Sequence, residues 1–125
     1  MTATERRYPA ELAQIKRALA RLRAGAPETM RGFADLHRAA LTGEGALDQT
    51  TRELIALAIG VASRCDGCIA FHTHDALRAG ASEAEISDAL GVAVLMGGEP
   101  SAIYATHVVE AMDQFLAERA VEHAP

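Results

Sequence analysis

Between Leu54 and Ala62 the chain reads Leu-Ile-Ala-Leu-Ala-Ile-Gly-Val-Ala, without one polar side chain. As an α-helix this run is well short of the ~20 apolar residues that a bilayer crossing needs. A helix that is apolar all round and too short for a membrane has to be covered by protein. It is therefore expected to be the central, fully buried helix, and the rest of the chain has to supply its cover.

The cover reads as further helices. Leu12, Ile15, Leu19 and Leu22 form an apolar stripe opposed by Arg17, Arg21 and Arg23. Gly25 ends that helix, and Pro27 suits the first turn of the next, which presents Met30, Phe33, His37, Ala40 and Leu41 on one side. His37 interrupts an apolar stripe and is expected to be a hydrogen-bonded core histidine. Thr42 to Leu47 is the longest loop, and the central helix opens at Asp48 to Thr50. A fourth helix starts near Cys65 and ends at Gly80. Ser82 and Glu85 form a capping box for a fifth, with Ile86, Ala89, Leu90, Ala93 and Val94 inward. Gly97-Gly98-Glu99-Pro100 breaks the chain before a sixth, with Ala102, Ala105, Val109, Met112 and Leu116 inward. With no Trp, two Tyr and three Phe, the apolar half of the chain is mostly small aliphatic, which suits close helix packing. The expectation is an all-α, compact bundle of about six helices in a single domain spanning residues 1–125.

Charge excludes some functions. The net charge is −5 with both signs dispersed, so no basic cluster exists to neutralise phosphates and no nucleic-acid partner is expected. No membrane association is expected, and the N-terminus lacks a signal peptide's apolar segment, so a cytoplasmic location is anticipated.

The chemistry concentrates in Cys65-Asp66-Gly67-Cys68-Ile69-Ala70-Phe71-His72-Thr73-His74, which holds both cysteines of the chain. In a reducing compartment such a pair points to redox catalysis or metal binding before a structural staple. On a helix Cys65, Cys68 and His72 share one face. A cysteine at a helix N-terminus meets unpaired N–H groups that favour its thiolate, and His72 can act as base toward Cys68. Glu53 is the natural third member. It lies about 16 Å of helical rise before Arg64, and His72 about 10 Å after Cys65. In an antiparallel hairpin the two therefore differ by only about 6 Å in level. A carboxylate there would orient His72.

Each residue also has another reading. Zinc is the main rival for Cys65, Cys68, His72 and His74, although the two histidines stand about 200° apart on a helix and cannot both face one ion with the cysteines. The thiols can equally be inert, buried apolar groups. Thr50-Thr51-Arg52-Glu53 is itself a capping-box pattern, so Glu53 reads both ways. His74 points away from Cys68 and suits a surface or interface, and His107 and His123 have no supporting context.

Glu53, eleven intervening residues, Cys65-x-x-Cys68, three more and His72 resemble the signature of the AhpD-like alkyl hydroperoxidases of the carboxymuconolactone decarboxylase superfamily. The resemblance extends from about Leu41 to Tyr104, including Thr-Arg-Glu-Leu-Ile and the Gly-Gly-x-Pro break. It implies an all-α fold and a homotrimer or homohexamer with sites near subunit contacts. It further implies a thiol-dependent peroxidase acting on a hydroperoxide. Cys68 would be oxidised to a sulfenic acid, Cys65 would resolve it as a Cys65–Cys68 disulfide, and Glu53 and His72 would relay the proton. An external dithiol, a lipoyl or thioredoxin-like protein, would re-reduce the pair. No cofactor and no metal are assigned. Members of this type carry a histidine next to the second cysteine, where this chain has Gly67; Asp66 beside the cysteines is expected to oppose thiolate formation. The alternatives are carboxymuconolactone decarboxylation, whose branch lacks the CxxC pair, and a non-enzymatic redox-sensing oligomer.

Overall fold

The computed structural model describes residues 6–124 and contains six helices: α1 (Tyr8–Gly25), α2 (Pro27–Thr42), α3 (Gln49–Ala62), α4 (Asp66–Arg78), α5 (Glu83–Gly97) and α6 (Glu99–Glu122). No strand occurs among the described residues. Part of the N-terminal stretch read for a signal peptide, Met1 to Glu5, lies outside them.

The helix boundaries follow local chemistry. Proline occupies the first turn of α1, α2 and α6, where its missing N–H costs nothing. Asp48 caps α3 by accepting the N–H of Thr51. Ser82 and Glu85 form the expected reciprocal capping box on α5. Between α3 and α4 the turn is tight. Arg64 takes the left-handed conformation at φ 56°, the Arg64 N–H donates to the Val61 carbonyl, and the Cys65 N–H donates to the Gly60 carbonyl. That is a Schellman closure, and Cys65 both completes it and caps α4. The same closure ends α4, with Gly80 at φ 102° and Ala81 donating to Ala76. Helix α4 thus runs from Asp66, one residue after its cap, to Arg78.

Helices α3 and α4 form the expected antiparallel hairpin, and α5 and α6 pack against it. Leu57, Val61, Ile69, Ile86 and Val108 are fully buried at their junction, with Phe115 and Leu90 close behind. Tyr8, at the start of α1, is also fully buried although it lies outside the stripe that the sequence suggests. Its backbone N–H donates to Gln114 Oε1, and Arg6 lies over its ring, 4.7 Å from the centroid.

Three expectations need correction. Helix α3 is not fully buried: Glu53, Leu57, Gly60 and Val61 face inward, whereas Ile55 and Ile59 are 45% and 62% exposed. One copy of the chain covers only part of the helix circumference. In α6 Val109 faces solvent, and the buried face is Ser101, Ala105, Val108, Met112 and Phe115. The packing of a 24-residue helix against α1, α3, α4 and α5 shifts the inward face from the stripe expected. His37 is exposed and not a core residue, because Leu41 is the sole buried side chain on α2.

Candidate functional site

Glu53, Cys65, Cys68 and His72 come together on the α3–α4 hairpin. Cys65 and Cys68 are joined by a disulfide, with Cα atoms 5.2 Å apart. Cys65 Sγ accepts the backbone N–H of Cys68 at 3.3 Å, so the helix start directs a donor at this sulfur. Cys68 fits against α3 because Gly60 faces it: a Cβ added at Gly60 would stand 2.8 Å from Cys68 Cβ. The central helix therefore carries its glycine where the cysteine approaches most closely.

Glu53 is the residue whose placement decides between its two readings. It does not cap α3, since Asp48 does that. Its carboxylate is 2% exposed and accepts from His72 Nδ1 at 2.9 Å. An isolated buried carboxylate is costly, and the imidazole N–H offsets that cost. With Nδ1–H committed to Glu53, His72 has Nε2 as its free proton-exchanging nitrogen. His72 follows Cys68 by one helical turn, about 6 Å of rise.

The other histidines separate as well. His74 is partly buried, donates from Nδ1 to Asp75 at 2.9 Å and packs edge-on against Phe115 with centroids 5.3 Å apart. His37 stacks on His72 with ring centroids 6.3 Å apart and an interplanar angle of 19°. The sequence did signal His37, as a polar interruption of an apolar stripe, but the direction in which it points was misread. The zinc set of two cysteines and two histidines does not assemble. The side chains that do approach one another are Glu53, His72 and Asp75, with one ligand-type atom from each within 4.8 Å. Asp75 is one turn beyond His72 on the same face, but that spacing alone does not place it against Glu53.

Two cavities flank this face of α4. One, of about 180 Å³, is lined by Leu19, Met30, Phe33, Ala34 and Phe71 together with the polar Arg23 and His37. The other, of about 370 Å³, has His37, Gln49, Glu53, Asp75 and Arg78 among its walls. Gly67 sits beneath α1, where a Cβ would stand 3.5 Å from Ile15 Cδ1, so Ile15 already occupies the space next to this position. Asp66 is exposed, and Arg6 Nη1 lies 4.0 Å from its carboxylate and tempers its charge beside the cysteines.

Comparison with known proteins bears on the fold and the family. Residues 27–111 match the model of the carboxymuconolactone decarboxylase family. An uncharacterised protein of Cupriavidus necator is 36% identical over 82% of this chain and 89% of its own length. A carboxymuconolactone decarboxylase family protein from Legionella pneumophila superposes with a TM-score of 0.83 at 42% identity, covering 86% of this chain and 96% of that one. A family protein from Thermotoga maritima, described in connection with an antioxidative response, superposes at 0.71 with 30% identity, covering 89% and 92%. The matched span contains α2 to α5, the cysteine pair and its buried acid–imidazole partner, and the chain belongs to the carboxymuconolactone decarboxylase family.

Proposed function

We propose that the protein is a thiol-dependent hydroperoxidase cycling between the Cys65–Cys68 dithiol and disulfide. The observation that carries this reading is the buried Glu53 carboxylate bonded to His72 on the helix that Cys65 caps and that carries Cys68. In the cycle the Cys68 thiolate attacks the distal oxygen of the hydroperoxide and the O–O bond breaks. The alcohol leaves with a proton supplied through His72, and Cys68 becomes a sulfenic acid. The Cys65 thiolate, favoured by the Cys68 N–H, then attacks that sulfur and hydroxide leaves as water, closing the disulfide. Two electrons from an external dithiol, of the lipoyl or thioredoxin-like kind, restore the thiols. Glu53 holds the imidazole orientation and stabilises its charged form. The cavity of about 180 Å³ includes Phe71, one turn past Cys68, and its apolar walls suit a short alkyl group, with Arg23 and His37 as its polar lining.

The working form is proposed to be a homotrimer or homohexamer. Ile55 and Ile59 on α3, Val92, Leu95 and Met96 on α5 and Ile103 on α6 are all exposed, apolar side chains that further copies of the chain would cover. Among the described residues no helix is long and apolar enough to cross a membrane.

Steady-state turnover of an alkyl hydroperoxide with a dithiol reductant tests the reading. Cys68→Ser is expected to lose turnover completely, and Cys65→Ser to accumulate a sulfenic acid at Cys68. Full activity in Cys68→Ser would end it.

A further inference from the structure

The cavity on the far side of the Glu53–His72 pair carries chemistry that the thiol cycle does not use. Glu53 is 2% exposed, yet among the described residues its second oxygen, Oε1, has no hydrogen-bond partner, and the residue forms part of the wall of the 370 Å³ cavity. Asp75 forms another part of that wall, with its Oδ1 held by His74 Nδ1 at 2.9 Å. Ligating carboxylates are commonly fixed by such outer hydrogen bonds. One donor atom each of Glu53, His72 and Asp75 falls within a 4.8 Å span, and these three belong to adjacent turns of one packed hairpin.

We infer that Glu53, His72 and Asp75 bind a divalent transition-metal ion of the zinc class, with the cavity leaving room for water as a further ligand. The donor set is one imidazole and two carboxylates, a combination that suits zinc and its neighbours better than calcium or magnesium. Ligands on such an ion stand about 3–4 Å apart, given metal–ligand bonds of about 2.1 Å. The trio therefore has to close by about 1 Å at its widest. Asp75 and His72 are only partly buried and can move, while Glu53 is fixed. Arg78, also in the wall, is the group that opposes a cation there, and its exposed side chain has to swing aside on binding. The cysteines take no part. The ion occupies the two side chains on which the proposed relay rests, so loading with metal also slows hydroperoxide turnover. That consequence depends on the proposed function; the binding itself does not.

The test is calorimetric titration of the tag-free, metal-free protein with zinc chloride, with Cys65 and Cys68 held as the disulfide so that no thiol can ligate. The expected result is one zinc per chain, with affinity lowered at least about tenfold in Asp75→Asn. Arg78→Ala, a surface change that should leave the fold intact, is expected to bind more tightly than the parent. Absence of zinc binding in the parent protein overturns the site. So does binding that is unchanged in both variants, since the ion then sits elsewhere. Because the disulfide form is used, a negative result leaves the thiol cycle standing, and a dead Cys68→Ser enzyme leaves the metal site standing.

Discussion

Helices α2 and α4, of 16 and 13 residues, differ by less than one turn in length and far more in their surroundings. Helix α4 buries Ile69, Ala70, Thr73, Ala76 and Leu77 and lies between α3, α6 and α1. Helix α2 buries only Leu41 and leaves Phe33 and Leu36 56% and 65% exposed. Its apolar residues are as regularly spaced as those of any other helix here. Spacing shows that a face can be buried, and the amount of neighbouring surface decides whether it is. The chemistry follows the same division: the redox pair and its carboxylate are in the covered hairpin, while α2 contributes the exposed His37 ring against His72.

If that contrast is right, the two helices should respond very differently to truncation. On the covered side, Leu57→Ala empties a fully buried site and should cost about 2–5 kcal/mol in urea unfolding. Gly60→Ala places a methyl against Cys68 and is expected to cost about 1–3 kcal/mol and to slow disulfide closure, read by denaturation and thiol titration. A smaller effect belongs to Asp48, whose carboxylate is held below its ordinary pKa of 3.8 by the Thr51 side-chain and backbone donors. A group with a lowered folded-state pKa stabilises fully above the unfolded value and loses its contribution as pH falls through the folded one. Asp48→Ala should therefore lower the melting temperature at pH 7, and the gap from the parent should close in acid below pH 3.8. The smallest effect is expected at Leu36→Ala on α2, under about 0.5 kcal/mol in the dissociated chain. A cost that appears only at high protein concentration would mean that a second copy covers α2.

Much of this architecture was legible because it is local. Asp48, the Ser82–Glu85 box, the prolines and the glycine-rich break act over three or four residues, and each ends or starts a helix where the sequence says it should. The Glu53–His72 pairing was legible too, because rise per residue in a hairpin is simple arithmetic. Cover was not legible. The apolar run from Leu54 to Ala62 reads the same whether its outer face meets this chain or another, and Ile55 and Ile59 turn out to face outward. The inward face of α6 was misjudged at Val109 for a related reason, since four packing partners shape it. His37 and Asp75 needed the third dimension: one had to be recognised as stacking on His72, and the other as joining Glu53 across the hairpin.

The central claim is that the buried Glu53–His72 pair serves the cysteines. Stopped-flow oxidation of the fully reduced protein by one equivalent of an alkyl hydroperoxide, parent against Glu53→Gln, tests it most directly. The account predicts that the parent loses two thiols per chain and yields one alcohol. It predicts the same end point in Glu53→Gln, reached about 10²–10⁴-fold more slowly. Equal rates in the two proteins would contradict it.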